Sequence, residues 1–294
     1  MSEQALPALA TTVTASAAAG RPRLRLAGLL SILTTLLLLV WVLVPLGMGL
    51  LWSFVDPSHS WSYPDMFPSA LSFHNWESVF RVTNVGEAIR ISFTVAPLAT
   101  LLAFVLSLPT AYLLGRYSFP GQEAIKVVIL LPIMLPGMVV ALFLSPLFTM
   151  LGLSQTFAGL VIGHAFLGIP FMLRILTVSF AAIPQDVIDA AENLGASKPR
   201  LFVEVLIPLI MPGLFAAAIF TFIASLEEFN LSFVIGLPDY QTIPTILYGF
   251  LGRHFVRTDA SVVSAVLMLP NIVLLFVAER FLKTEYLASA FGKM

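Results

Sequence analysis

Residues Pro184 to Pro212 read P-Q-D-V-I-D-A-A-E-N-L-G-A-S-K-P-R-L-F-V-E-V-L-I-P-L-I-M-P, the longest polar, charge-bearing segment between two apolar runs. Asp186 to Leu194 has helical spacing. Val187, Ala190, Ala191 and Leu194 fall at i, i+3, i+4 and i+7, with Asp186, Asp189, Glu192 and Asn193 turned away. The spacing predicts one short amphipathic helix. Asp186 and Asp189 stand in its first turn, where carboxylates oppose the positive end of the macrodipole, and Gly195 follows Leu194 where a left-handed terminal residue is expected. A second short helix opens after Ser197, with Pro199 in its first turn.

Outward from this stretch the chain is mostly hydrocarbon. Of its 294 residues 59% are hydrophobic and 11% charged, with a mean hydropathy of +0.96, whereas soluble domains carry about 25% charged residues. This composition belongs to an all-α membrane protein with several spans. Cysteine is absent, which excludes disulfides, thiolate metal sites and cysteine nucleophiles.

Residues 1–25 form an Ala/Thr/Ser-rich tail, expected to be disordered and cytoplasmic. The apolar run 26–55 that follows Arg21, Arg23 and Arg25 is far longer than a signal-peptide core and stays in the protein as the first span. Asp56 to Glu87 is a polar connection rich in rings, among them Trp61, Phe67, Phe73 and Trp76, a composition that settles at a membrane interface. Five further spans are placed at about 88–114, 125–150, 157–182, 208–236 and 261–282, each near the ~20 residues that cross hydrocarbon. With the first they make six, in one transmembrane domain over 26–294, and 183–207 is a loop between the fourth and fifth. A cytoplasmic N-terminus puts ten of the fifteen basic residues inside, four outside and Arg174 within a span. By the positive-inside rule both termini and the acidic loop are then cytoplasmic.

Two span starts share a P-x-x-x-P-G core, at Pro132, Pro136 and Gly137 and at Pro208, Pro212 and Gly213. Each proline removes a backbone donor, so each core reads either as a bend that shapes the inner mouth of a pathway or as the ordinary frequency of proline and glycine in membrane helices. Four ionisable groups fall within spans: His164, Arg174, Glu227 and Glu228. A charge at mid-bilayer costs ~2.5–3.5 kcal/mol or more, so such groups face the bundle interior or water. Glu227 and Glu228 are adjacent and point about 100° apart on a helix, so one lines a cavity while the other pairs or nears the outer surface. With Asn230 and Arg174 they are the candidate solute pathway. His164 has no second metal-type side chain at i+3 or i+4 and reads as a packed, hydrogen-bonded residue.

No G-x-x-x-x-G-K-[ST] phosphate loop occurs, nor G-x-S-x-G, nor H-E-x-x-H. The chain is not expected to be an enzyme, and energy must come from another subunit. It offers no metal site, no cofactor site and no nucleic-acid surface.

The pattern Asp189-Ala190-Ala191, three residues, Gly195, nine residues, Val205-x-Ile207-Pro208 closely resembles the E-A-A loop of the permease subunits of binding-protein-dependent type I ABC importers. Asp189 stands for the family's Glu, Val205 for its Ile and Ile207 for its Leu, with the spacing unchanged. The resemblance implies a type I importer permease fold in a bacterial inner membrane. It implies that the helix around Asp186, Asp189, Ala190, Ala191, Glu192 and Gly195, followed by Pro208, is a coupling helix docked on an ATP-hydrolysing subunit. It also implies the partners: two ATP-binding subunits, a second permease chain different from this one, an external solute-binding protein and the lipid bilayer. Leu71 to Trp76 is similar to an L-x-N-Y element before the second span, and Thr242-Ile243-Pro244 to a T-L-P element after the fifth. The T-L-P element is that of polyamine and related permeases, which implies an amine-bearing solute such as spermidine or putrescine, in a branch whose other members carry phosphonates, amino acids and opine-like compounds. The rival expectation is a secondary transporter or channel that uses Glu227, Glu228 and Arg174 as an ion relay, but such proteins often show two symmetric halves and only the short proline echo is present. An intramembrane hydrolase lacks a nucleophile and base pair.

Overall fold

The computed structural model describes residues 21–291 apart from 60, 63, 255 and 256. The expected tail therefore lies outside the described residues as far as residue 20. The described residues form helices and connecting loops, with one isolated antiparallel bridge between Val55 and Leu71. The chain divides after Gly49 into two units. The first holds most of α1, Arg21–Ser53, an apolar helix long enough to cross hydrocarbon.

The second unit carries α2 (His74–Val82), α3 (Val85–Arg116), α4 (Gln122–Met134), α5 (Gly137–Met150) and α6 (Phe157–Ala181), then α7 (Gln185–Asn193), α8 (Lys198–Leu201), α9 (Ile207–Leu226), α10 (Ile243–Tyr248) and α11 (Arg257–Phe291). Among the described residues five helical stretches are long and apolar enough to span a membrane, and six if the bent pair α4–α5 is counted as one span.

The core lies where α3, α6 and α9 meet. On α3, Ala96, Ala99, Ala103, Ser107 and Ala111 are all buried and recur every three or four residues, which makes one narrow stripe of small side chains. In a membrane no hydrophobic force pushes helices together, so close approach over small residues supplies the packing energy. Gly168 of α6 carries this to its limit, since a Cβ there would lie 2.5 Å from Thr221 Cγ2 of α9. Toward the α7 end the stripe gives way to larger side chains, with Met172, Leu176 and Phe180 of α6 against Leu206 and Ile210. α6 starts at Thr156, whose hydroxyl accepts from the Gly159 N–H at 2.9 Å.

In the first turn of α2, Asn75 is buried, and its amide donates to the Val55 carbonyl at 2.7 Å and the Ser53 carbonyl at 3.3 Å. The L-x-N-Y-like stretch thus pins the chain that leaves α1. In the expected outer loop, Ile243, Pro244 and Thr245 are buried at the start of α10, and the Ile243 N–H donates to Ser92 Oγ of α3 at 3.0 Å.

Two expectations need correction. The proline echo does not produce two bends. Between α4 and α5 the axis turns by 101°, with Leu135 and Pro136 extended, as a residue before proline prefers. At Pro208 and Pro212 the helix runs on, from α8 through a π-helical turn at Phe202–Leu206 into α9. Packing makes the difference: α4 has no buried residue, whereas Gly213 presses on α6 so closely that a Cβ would meet Ser179 Cβ at 2.9 Å. The second correction follows. The fifth span is not 208–236 but one helix over 198–226, broken at 227–229 and resumed as a short turn ending in Ser232–Gly236. The second short helix expected after Ser197 is the first turn of that span.

Candidate functional site

α7 is the short helix read from the sequence. Its end is built as predicted: Gly195 has φ +85°, the Gly195 N–H donates to the Glu192 carbonyl at 2.9 Å, and the Ala196 N–H to Ala191 at 3.1 Å. Its facing is different. Ile188 alone is buried, Ala191 is half-buried, and both pack on the core formed by α3, α6 and residues 201–210. Val187, Ala190 and Leu194, assigned by spacing to the inward face, are exposed, Leu194 by 89%. Asp186, Asp189 and Glu192 are exposed as well. The outer surface of α7 is therefore an apolar strip edged by carboxylates. Pro208 lies in the first turn of α9, past the π-helical turn and apart from that surface.

What holds α7 to the bundle was not visible in the sequence. Arg116, at the last turn of α3, donates through Nη1 to the carbonyls of Ile183 at 2.7 Å and Phe180 at 3.3 Å, and through Nη2 to Gln185 Oε1. Gln185 Nε2 in turn donates to Asp189 Oδ1 at 2.8 Å. One guanidinium thus caps the negative end of α6 and fixes the first residue of α7. Beneath it Tyr112, Phe180 and Phe202 pack ring on ring at 5.4 to 6.3 Å and join α3, α6 and the start of the fifth span. Arg116 entered the sequence reading only as one more inner charge, because its acceptors lie 64 to 69 residues further along the chain.

The second feature is a cavity of about 190 Å³ toward the other end of the bundle, lined by α4, α6 and α9 and by Glu228. The two glutamates part at the break in the helix, where neither lies in a continuous helical turn. Glu228 lines the cavity, and both its carboxylate oxygens accept from the Leu231 N–H at 3.1 Å. Glu227 is exposed and accepts from Asn271 Nδ2 at 2.6 Å. His164, buried in the same wall, hydrogen-bonds Ser225 Oγ through Nδ1 at 2.8 Å and Ser232 Oγ through Nε2 at 2.9 Å. Ser232 spends its one proton on the Glu228 carbonyl at 3.1 Å, so Nε2 carries the imidazole proton and Nδ1 accepts from Ser225. The histidine thereby ties α6 to both sides of the break at 227–229. Thr221, also in the wall, is buried and its hydroxyl has no partner.

Asn230 lies elsewhere, folded over the bend of the α4–α5 pair, where a Cβ on Gly137 would meet its Nδ2 at 2.6 Å. Arg174 lines a different cavity, between α4 and α6, with Lys126 and Glu123. Glu227, Glu228 and Arg174 are therefore not brought together, and an ion relay through them has no geometric basis. Among the described residues no cluster of His, Asp and Glu is arranged to hold a metal ion.

Comparison with known proteins identifies the family. Residues 107–284 match the family described as "Binding-protein-dependent transport system inner membrane component". The chain is 34% identical over 203 residues to the diacetylchitobiose uptake system permease protein NgcG of Streptomyces coelicolor, a match spanning 66% of each chain. It is 28% identical to the trehalose transport system permease protein SugB of Mycobacterium tuberculosis, over 78% of this chain and 86% of that one. It is 30% identical to the sulfate transport system permease protein CysT of Escherichia coli, over 68% and 77%. In fold it resembles a chain of a bacterial ABC transporter that imports the acidic polysaccharide alginate, with a TM-score of 0.71 at 17% identity over 92% of this chain and 99% of that one. It also resembles a chain of the MetNI methionine ABC transporter, with a TM-score of 0.57 at 19% identity over 67% and 94%. The chain belongs to the family of binding-protein-dependent transport system inner membrane components: it is a multi-pass permease subunit of an ABC importer and not itself an enzyme.

Proposed function

We propose that this permease is driven through α7, which acts as the coupling helix of a complex with two ATP-binding subunits, a second and different permease chain and an external solute-binding protein. Both termini and α7 face the cytoplasm. The observation that carries this reading is the outer surface of α7: exposed Val187, Ala190 and Leu194 beside Asp186, Asp189 and Glu192 suit a protein cleft rather than a membrane surface, where Lys and Arg would edge the apolar face. Closure of the ATPase pair draws the two coupling helices together, and Arg116 passes that displacement to α3 and α6. The ATPase must contact α7 differently in its open and closed states, since a partner that binds both states equally shifts nothing.

Asp189→Lys reverses charge on the docking surface, and Gly195→Pro forbids the positive φ that ends α7. Both variants are expected to insert in the membrane and to lose solute uptake. Normal uptake by either would remove the coupling assignment.

For the solute, the reading that Glu228 supports is a small amine-bearing compound of the polyamine kind. A carboxylate in the cavity wall favours a cation, and it disfavours a sulfate-like or molybdate-like anion. The second reading is a sugar, supported by the relatives named for diacetylchitobiose and trehalose; hydroxyls would find partners in Glu228, Ser225 and the unpaired Thr221. The ligand held by the solute-binding protein that copurifies with the complex separates the two, an amine supporting the first and a neutral saccharide the second.

A further inference from the structure

The cavity that holds Arg174 has no part in the function proposed above. It is about 330 Å³ and lies between the start of α4 and the end of α6. Val127, Leu130, Leu173 and Val178 give it hydrocarbon walls, and Glu123, Lys126, Arg174 and Thr177 give it its polar groups. The depth of the two cations follows from helix geometry. Arg174 stands seven residues before the last residue of α6 and Lys126 four after the first of α4, which is ~10 Å and ~6 Å from those ends. The interfacial zone between hydrocarbon and water is itself some 5–8 Å deep on each side. Long basic side chains at this level carry their charge to the headgroup boundary.

The local charge does not cancel. Glu123 holds Lys126 at 2.6 Å, but Arg174 joins none of the ion pairs among the described residues. The Thr177 hydroxyl is buried without a hydrogen-bond partner. Next to the cavity the apolar surface continues outward, with Val127 exposed by 58%, Val128 by 60% and Val178 by 64%. A soluble anion would have to shed water against these walls. A phosphate that arrives with its own hydrocarbon would not.

We propose that the cavity between α4 and α6 binds an anionic phospholipid, its phosphate on Arg174 and Lys126 and an acyl chain along Val127 and Val178. With the orientation given above this is a lipid of the inner leaflet, where basic pockets between spans meet anionic headgroups. The assignment of the cavity to a phosphate does not depend on the coupling role of α7.

The test is native mass spectrometry of the purified, delipidated transporter complex in detergent, titrated with phosphatidylglycerol and, separately, with phosphatidylcholine. Phosphatidylglycerol should bind the unaltered complex in preference to phosphatidylcholine. Arg174→Gln should weaken that binding by about fivefold, Arg174→Lys should restore most of it, and Arg174→Gln with Lys126→Gln should remove the preference. Millimolar inorganic phosphate should leave bound phosphatidylglycerol in place. The mass of the assembly shows in the same spectra that each variant is intact. Phosphatidylglycerol binding that is equal in the double variant and the unaltered complex overturns the proposal. Displacement of the lipid by inorganic phosphate would make this a soluble-anion site and overturn it too. So would an Arg174→Cys crosslink to the second permease chain, which would show protein covering the cavity.

Discussion

Arg116 joins three acceptors, on α6, on α7 and in the turn between them, with one planar side chain, and its loss should be felt as poor transmission rather than poor folding. A lysine supplies the charge and three donors on one nitrogen but not the planar fork, so it cannot reach the Phe180 and Ile183 carbonyls and Gln185 Oε1 together. Arg116→Lys and Arg116→Leu are expected to leave assembly with the ATPase intact while stimulation of ATP hydrolysis by the loaded binding protein drops, Leu more than Lys. Stimulation unchanged in Arg116→Leu would show that α7 is held by Ile188 alone. At the cavity, Glu228→Gln keeps an acceptor for the Leu231 N–H and removes the charge; a charge-assisted contact contributes ~1.5–3 kcal/mol, so uptake of an amine should fall by roughly tenfold or more. Glu227→Gln, out at the Asn271 contact, should change uptake by less than about twofold. The parting of the two carboxylates was argued from helical spacing, but it arises at a break in the helix that spacing did not show, and that break decides which one meets the cavity.

At the scale of the element, short-range pattern was legible and long-range packing was not. The bounds of α7, the left-handed Gly195 and the first turn at Pro199 all follow from residues within one or two turns of each other. The face of α7 did not follow, because spacing marks an apolar strip without telling whether the protein or a partner covers it. The two proline motifs make the same point, since identical punctuation gave a 101° turn in one place and a continuous helix in the other. Gly213 is the residue that keeps the second helix on its track. Gly213→Ala puts a methyl against Ser179 and should lower the melting temperature of the purified complex, with overpacking of this kind costing about 1–3 kcal/mol. Ser179→Gly in the same chain removes the obstructing atoms and should recover most of the loss. Additive losses in the pair would mean that α6 and α9 do not meet there.

For the whole molecule, composition alone was enough to name a multi-span membrane protein, and one loop pattern was enough to name its family. What composition could not supply is a finished surface. α4 buries no residue, and Phe143 of α5 is 78% exposed. Lipid or another permease must cover this side. The chain expressed alone is accordingly expected to give polydisperse species in detergent. Coexpressed with its ATPase and second permease it should run as one complex of two permease and two ATPase chains, as read by native mass or light scattering. A monodisperse lone chain would show that its exposed helices need no protein neighbour.

The helix over 198–226 has a mechanical consequence. Its 29 residues measure about 43 Å at 1.5 Å per residue, and tertiary packing suppresses the bend its prolines would allow. A stiff rod of that length, pushed at the α7 end, swings as a lever: a tilt of about 10° carries its far end roughly 7 Å. The far end is Leu226, one residue before the break that places Glu228 in its cavity and that His164 clasps on both sides. If α7 is where the drive enters, a nudge too small to rearrange that end of the helix is large enough to open or shut a passage at the other.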